Sequence, residues 1–326
     1  MILPRITVLA TGGTIAGKAG SATRHDYRPG QIGIGEFLAQ VAALDLHARF
    51  DGRQIANIGS ENIDEGVWAE LHAACLEAIA DDDCAGIVVT HGTDTVEETA
   101  FVLDQTLPSH KPVVLVGAMR PADVVGSDGL RNFASAVRVA SSGDAAGRGV
   151  LVVMGDRVYA ARDIRKARTD STDAFAGFPR DAIGLARPSQ LEWFGAPWRA
   201  GEPARLAFPS TWPEVVIVYM RAGLTPALAE RQFAASTRGV VVAGVGEGNM
   251  PDGLRTLLAD KARDGLAIVR ASRVEEALID REPEDDTNGF VAARALTPPK
   301  ARILLAMLLA SGIEDPVAIQ AEFDRR

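Results

Sequence analysis

The chain alternates short, unbroken apolar runs with longer stretches whose apolar residues recur at helical spacing. Residues 6–10, 86–90, 112–116 and 149–154 are runs of the first kind, 53–58 reads as a further strand with polar residues in it, and glycine, threonine or histidine follows each. A run with little polar alternation is what a strand covered on both faces requires. Between the runs, Val67, Leu71, Ala74, Cys75 and Ile79 fall on one helical face, and residues 35–46 and 129–140 have similar spacing. Strand and helix in turn predict a mainly parallel sheet with right-handed crossovers. The pattern breaks over residues 193–213, where Gly195, Pro197, Gly201, Pro203, Pro209 and Pro213 read as a linker. Apolar runs resume at 215–220, 239–245 and 267–269. The expected fold class is therefore α/β, with a larger N-terminal domain on a mainly parallel sheet (residues 1–192), a linker (193–213) and a smaller C-terminal α/β domain (214–326).

The strand ends carry the candidate chemistry. In an open α/β sheet, ligands bind at the carboxyl ends of strands. The first run delivers Thr11, Gly12, Gly13 and Thr14 to such an end. Paired glycines permit a sharp turn and close approach to a ligand, and a threonine hydroxyl there is a candidate nucleophile. Gly12 and Gly17-Lys18 resemble part of a phosphate-binding loop, but Ala19 stands where a magnesium-binding hydroxyl belongs, and the glycines and proline of residues 20–30 oppose the helix such a loop needs. Nucleotide binding and a purely structural turn stay open as alternatives. The third run ends in His91-Gly92-Thr93-Asp94-Thr95, and Thr95 with Glu98 has capping-box spacing. Residues 17–35, rich in glycine and containing Tyr27, read as a lid or as an ordinary mobile loop. The glycines of residues 244–249 read first as turn geometry and second as a substrate contact.

Composition narrows the function classes. A 47% hydrophobic content supports large cores, and a net charge of -9 opposes nucleic acid or an anionic membrane as partner. The apolar run at 303–310 is far shorter than the roughly 20 residues that span a bilayer. Two cysteines make no disulfide framework, and the five histidines show no metal-ligand spacing, so neither structural zinc nor another metal is expected. Met1 leads directly into a strand with no basic or apolar leader. The expected location is cytoplasmic as the sequence is written, or periplasmic if the chain is a processed form.

Two separated motifs, T-G-G-T-I-A-G at 11–17 and H-G-T-D-T at 91–95, together resemble the signatures of the bacterial-type L-asparaginase/glutaminase family. Residues 57–60, 116–121, 149–154 and 243–246 resemble further family segments in the same order, so the likeness covers nearly the whole chain. It implies hydrolysis of L-asparagine to L-aspartate and ammonia, with lesser glutaminase activity, a mixed preference being the alternative. By the same resemblance Thr14 attacks the side-chain amide, Tyr27 partners it, and Thr93 is the second threonine, linked to Asp94 and Lys166. Ser60 would take the substrate α-carboxylate, and Glu61 and Asp94 the α-ammonium; Glu61 stands where the family carries glutamine or glutamate. Gly13, Gly59, Ala118 and Asn249 complete the expected substrate contacts, and backbone N–H groups near Gly13 and Thr93 are the expected oxyanion donors. Glu282 matches an acidic residue donated by a neighbouring subunit, although its acidic surroundings also fit a solvated loop. The family's assembly is a homotetramer, a dimer of dimers, and no cofactor is implied. A non-catalytic amino-acid sensor on the same scaffold would be expected to have lost Thr14, Thr93 or Lys166, and the chain keeps all three.

Overall fold

The structure, a computed structural model, describes residues 3–21, 27–199, 202 and 204–326; the side chain of Tyr27 lies outside that description. Contacts divide the chain into two units, Met1–Arg205 and Leu206–Arg326. The first holds β1 (Arg5–Gly12), β2 (Lys18–Ala19), β3 (Tyr27–Arg28), α1 (Ile34–Ala42), β4 (Arg49–Ile58), α2 (Glu65–Ala80), β5 (Cys84–Thr90), α3 (Val96–Thr106), β6 (Val113–Val116), α4 (Gly129–Ala140), β7 (Val150–Met154), β8 (Arg157–Ala160), β9 (Ile164–Lys166), β10 (Phe175–Gly177), β11 (Gly184–Arg187) and β12 (Gln190–Trp193).

Eight of these strands form one sheet in the order β12-β11-β8-β7-β6-β5-β1-β4. From β4 to β7 every pairing is parallel, and β8, β11 and β12 extend the sheet antiparallel. The apolar run of β1 is flanked on both edges and covered on both faces, and the cover accounts for its lack of polar alternation. Ile6 and Val8 join a core with Phe37 and Phe133 on one face, and Leu9 joins Leu71, Ile79, Val96 and Leu103 on the other. Helix α2 begins on Asp64, whose carboxylate accepts from Val67 N–H at 2.9 Å. The antiparallel extension, built from strands of four residues, was not expected from the sequence.

The second unit carries β13 (Val215–Tyr219), α5 (Pro226–Glu230), β14 (Gly239–Gly244), α6 (Asp252–Arg263), β15 (Ala267–Ser272), α7 (Pro283–Asn288), β16 (Phe290–Ala292), α8 (Pro298–Ala310) and α9 (Pro316–Arg325). Its four strands run parallel in the order β13-β14-β15-β16. Leu254 and Leu258 of α6 pack with Val240, Val242 and Ile268 of the sheet. The apolar run at 303–310 is the body of α8, a helix buried from Ile303 to Leu309, and no described helix is long and apolar enough to cross a membrane.

Candidate active site

The chain leaves β1 for β4 on one side, then crosses to β5 on the other, so the direction of strand addition reverses between β1 and β5. The carboxyl ends of strands at such a reversal leave a crevice between diverging connections. Both threonines singled out in the sequence sit there. Thr14 opens a 3-10 turn (Thr14–Ala16) just beyond β1, and Thr93 lies three residues beyond β5; both are buried.

The two loops touch through glycine. Gly13 has φ 78°, and a Cβ on it would lie 2.4 Å from the Gly92 backbone. A Cβ on Gly92 would in turn lie 2.7 Å from Ser60 Oγ. Three strand ends (β1, β5 and β4) are thus stacked at backbone distance, which no side chain would permit. The N–H of Gly13 donates to Ile58 O at 2.9 Å and so ties β1 to β4. Thr11 is likewise structural, its hydroxyl donating to Thr90 O at 3.0 Å.

Around Thr93 the polar contacts converge. Lys166 Nζ donates to Thr93 Oγ1 at 2.9 Å and to Asp94 Oδ1 at 2.5 Å. The lysine is mostly buried, whereas the Asp94 side chain is 62% exposed, so one end of this chain of contacts faces solvent. Lys166 is held on β9 by pairing with Phe175 of β10, and its own N–H donates to Glu97 Oε2 at 2.8 Å. Glu97 was not singled out in the sequence, where Glu98 held the capping-box position. That box is also corrected: Thr95 stands at the N-cap of α3, but its hydroxyl donates to Ser60 O at 2.8 Å and makes no cap.

Ser60 Oγ accepts from Asp94 N–H at 3.2 Å, and the residue is buried. Glu61 is exposed; its carboxylate folds against Gly59, where an added Cβ would lie 2.3 Å from Oε1, and it accepts from Asn62 Nδ2 at 3.1 Å. Ala118 is fully buried at the end of β6, beside the Met119 N–H that Asp128 accepts at 3.1 Å. His91 is buried, places Nδ1 2.7 Å from Gly92 O, and has its pKa lowered to about 4 by desolvation. A neutral imidazole with Nδ1–H donating to Gly92 O satisfies that geometry. In the stretch expected to act as a lid, β2 pairs with β3, while residues 22–26 and the side chain of Tyr27 lie outside the described residues.

Asn249 and Glu282 belong to the second unit. Asn249 closes a tight loop after β14, exchanging backbone hydrogen bonds with Val245 at 2.7 and 3.0 Å. Glu282 precedes α7 as the N-cap of a capping box with Asp285. Arg270 of β15 anchors both carriers: it donates to Glu247 O, to Asp280 O and to both carboxylate oxygens of Asp285, each at 2.6 to 2.9 Å. Arg270 and Asp285 are almost wholly buried. Among the described residues there is no group of three or more His, Cys, Asp or Glu able to hold a metal ion.

Known proteins share this arrangement from end to end. The family model described as "Asparaginase, N-terminal" matches residues 5–199, and that described as "Glutaminase/Asparaginase C-terminal domain" matches residues 214–323. An L-asparaginase 2 of Escherichia coli is 39% identical over all of this chain and 94% of its own length. A glutaminase-asparaginase of Pseudomonas fluorescens is 34% identical over 98% of this chain and 90% of its own. The crystal structure of a probable cytoplasmic L-asparaginase from Campylobacter jejuni superposes with a TM-score of 0.93 at 34% identity, covering 99% of both chains. With both family models matched in order and full-length relatives well above 30% identity, the chain belongs to the asparaginase/glutaminase family of amidohydrolases.

Proposed function

We propose that this chain hydrolyses L-asparagine to L-aspartate and ammonia, with lesser activity on L-glutamine, through an acyl-enzyme on Thr14. The observation that carries the reading is the chain of contacts Thr93 Oγ1, Lys166 Nζ, Asp94 Oδ1, on a loop whose Gly92 meets Gly13, the neighbour of Thr14. A threonine hydroxyl is a weak nucleophile and needs a route for its proton. Thr14 Oγ1 adds to the amide carbon, the C–N bond breaks, and nitrogen leaves as ammonia with the proton that the hydroxyl lost. Water then adds to the ester carbon, the bond from that carbon to Oγ1 breaks, aspartate leaves, and a proton from the water returns to Thr14 Oγ1. Thr93 accepts a hydrogen bond from Lys166, which leaves its own hydrogen to point at substrate or water; Lys166 passes charge changes on to Asp94. Tyr27 is assigned beside Thr14 by resemblance.

The substrate is a zwitterion, so Ser60 is assigned to its α-carboxylate and Glu61 with Asp94 to its α-ammonium. Gly13, Gly59 and Ala118 keep the walls close. Asn249 and Glu282 are assigned to the site of a second chain, within a homotetramer built as a dimer of dimers. Asparagine is favoured because an anchored α-ammonium fixes the reach to Thr14, and glutamine's extra methylene displaces the amide carbon. Ammonia release from both amides, measured side by side, tests this. A kcat/KM for glutamine equal to or above that for asparagine overturns the preference, and turnover of neither overturns the activity.

A further inference from the structure

We propose that the cavity at the antiparallel end of the larger sheet is a binding site for a small amphipathic monocarboxylate, separate from the candidate active site. The cavity measures about 350 Å³, within the usual range of small-ligand pockets, and Arg148, Arg180, Ile183, Phe194 and Trp198 line it.

Its chemistry is uneven in a way that asks for an anion. Arg148 is buried and stacks 4.0 Å from the centroid of the Trp193 ring. Its Nε donates to Asp144 O at 2.7 Å. Among the described residues no carboxylate comes within ion-pairing distance of it. Desolvation draws its pKa down, against a weaker opposing pull from Asp144. A guanidinium mostly withdrawn from solvent, with an aromatic face and one carbonyl as its protein partners, is incompletely compensated, and a carboxylate accepting from its remaining N–H groups supplies a further partner. Arg180 is differently placed: it already donates to buried Asp163 at 2.6 Å, which also takes Arg162. It adds positive potential at the mouth, and it lies 5.0 Å from the Trp198 ring centroid.

The rest of the lining is apolar. Phe194 is 57% exposed, and Ile183 and the Trp198 ring continue its surface. One unpaired buried guanidinium against such walls fits a single carboxylate on an aromatic or branched hydrocarbon body. A phosphate ester would bring more charge than one guanidinium answers, together with a polar body.

Gly195 supplies a clean control, because it lines the cavity and a Cβ on it would meet no atom within 4 Å. The test is equilibrium dialysis of the full chain with 3-phenylpropionate, in saturating L-aspartate so that the candidate active site is held. Its uncharged counterpart is 3-phenylpropan-1-ol. The acid is expected to bind once per chain and the alcohol about tenfold more weakly or worse. Arg148→Gln should weaken the acid by a similar factor. Gly195→Leu should abolish binding with ammonia release from asparagine unchanged. The proposal is overturned by no saturable binding to the unaltered protein, by equal binding of acid and alcohol, or by unchanged binding in Gly195→Leu. The last criterion holds even if Arg148→Gln fails to fold.

Discussion

At the scale of single residues, the assignment of Lys166 is the most exposed to test. Lys166→Met removes both polar contacts while keeping much of the side chain's length. It should lower kcat by about 10³-fold, with a folded protein by circular dichroism; turnover within about threefold of the parent would remove Lys166 from the reaction. Glu61→Gln should raise the Michaelis constant for asparagine by about 3- to 10-fold, less than a buried charged hydrogen bond would give, because Glu61 is exposed. An unchanged constant would mean that the carboxylate does not hold the ammonium. His91 makes a prediction about pH. Its native pKa of about 4 lies below the 6.5 of an unfolded histidine, so the unfolded chain binds the extra proton first. Stability from this source is complete above about pH 6.5 and falls as pH drops toward 4, by up to roughly 3 kcal/mol. Urea unfolding at about pH 7 and about pH 4.5 should show a smaller difference in His91→Asn than in the parent; equal differences would exclude His91 as the titrating group.

At the scale of elements, the stacked strand ends predict that Gly13→Ala is not a small change. Its methyl would collide with Gly92 at a φ that side chains disfavour, so a loss of about 2–4 kcal/mol and displacement of Thr14 are expected. Stability and turnover both near the parent's would show that the loops can part freely. The buried pair Arg270–Asp285 predicts more: Arg270→Met leaves a carboxylate unpaired and should cost about 3–5 kcal/mol, and adding Asp285→Leu should recover part of it. No recovery in the double variant would place the cost in the lost carbonyl contacts instead. How far such features could be read beforehand differs by element. Helix α4 occupies the residues its spacing indicated, and β1, β5, β6 and β7 were visible because burial on both faces leaves no polar alternation, whereas β4, a largely exposed edge strand, has a mixed polar pattern. Strands β8, β11 and β12 were not, since four residues with Arg157, Arg187 or Glu192 among them carry too little pattern. The motif residues of the site were legible because glycine and threonine after an apolar run are unusual. Glu97, Gly92 against Ser60, and the diversion of Thr95 to Ser60 were not, because each depends on a partner more than 30 residues away in the chain.

At the scale of the whole molecule, the proposed exchange of Glu282 between chains makes a prediction that no single chain can satisfy. Thr14→Ala and Glu282→Ala proteins, each of low activity, are dissociated, mixed and reassociated. Random pairing gives hybrids with one intact site, and activity should recover to about a quarter of the parent's. Hybrids that form without recovery would confine Glu282 to a local role as the cap of α7. The position of β1 has a different consequence, for synthesis. The strand at the reversal is made before either of its neighbours, so its two edges remain open until Arg49–Ile58 and then Cys84–Thr90 have left the ribosome. Through that interval the nascent chain displays an apolar ribbon able to pair with any other strand it meets. The segment that holds the chemistry together when folded is therefore the one most in need of a chaperone's cover while the chain is still being made.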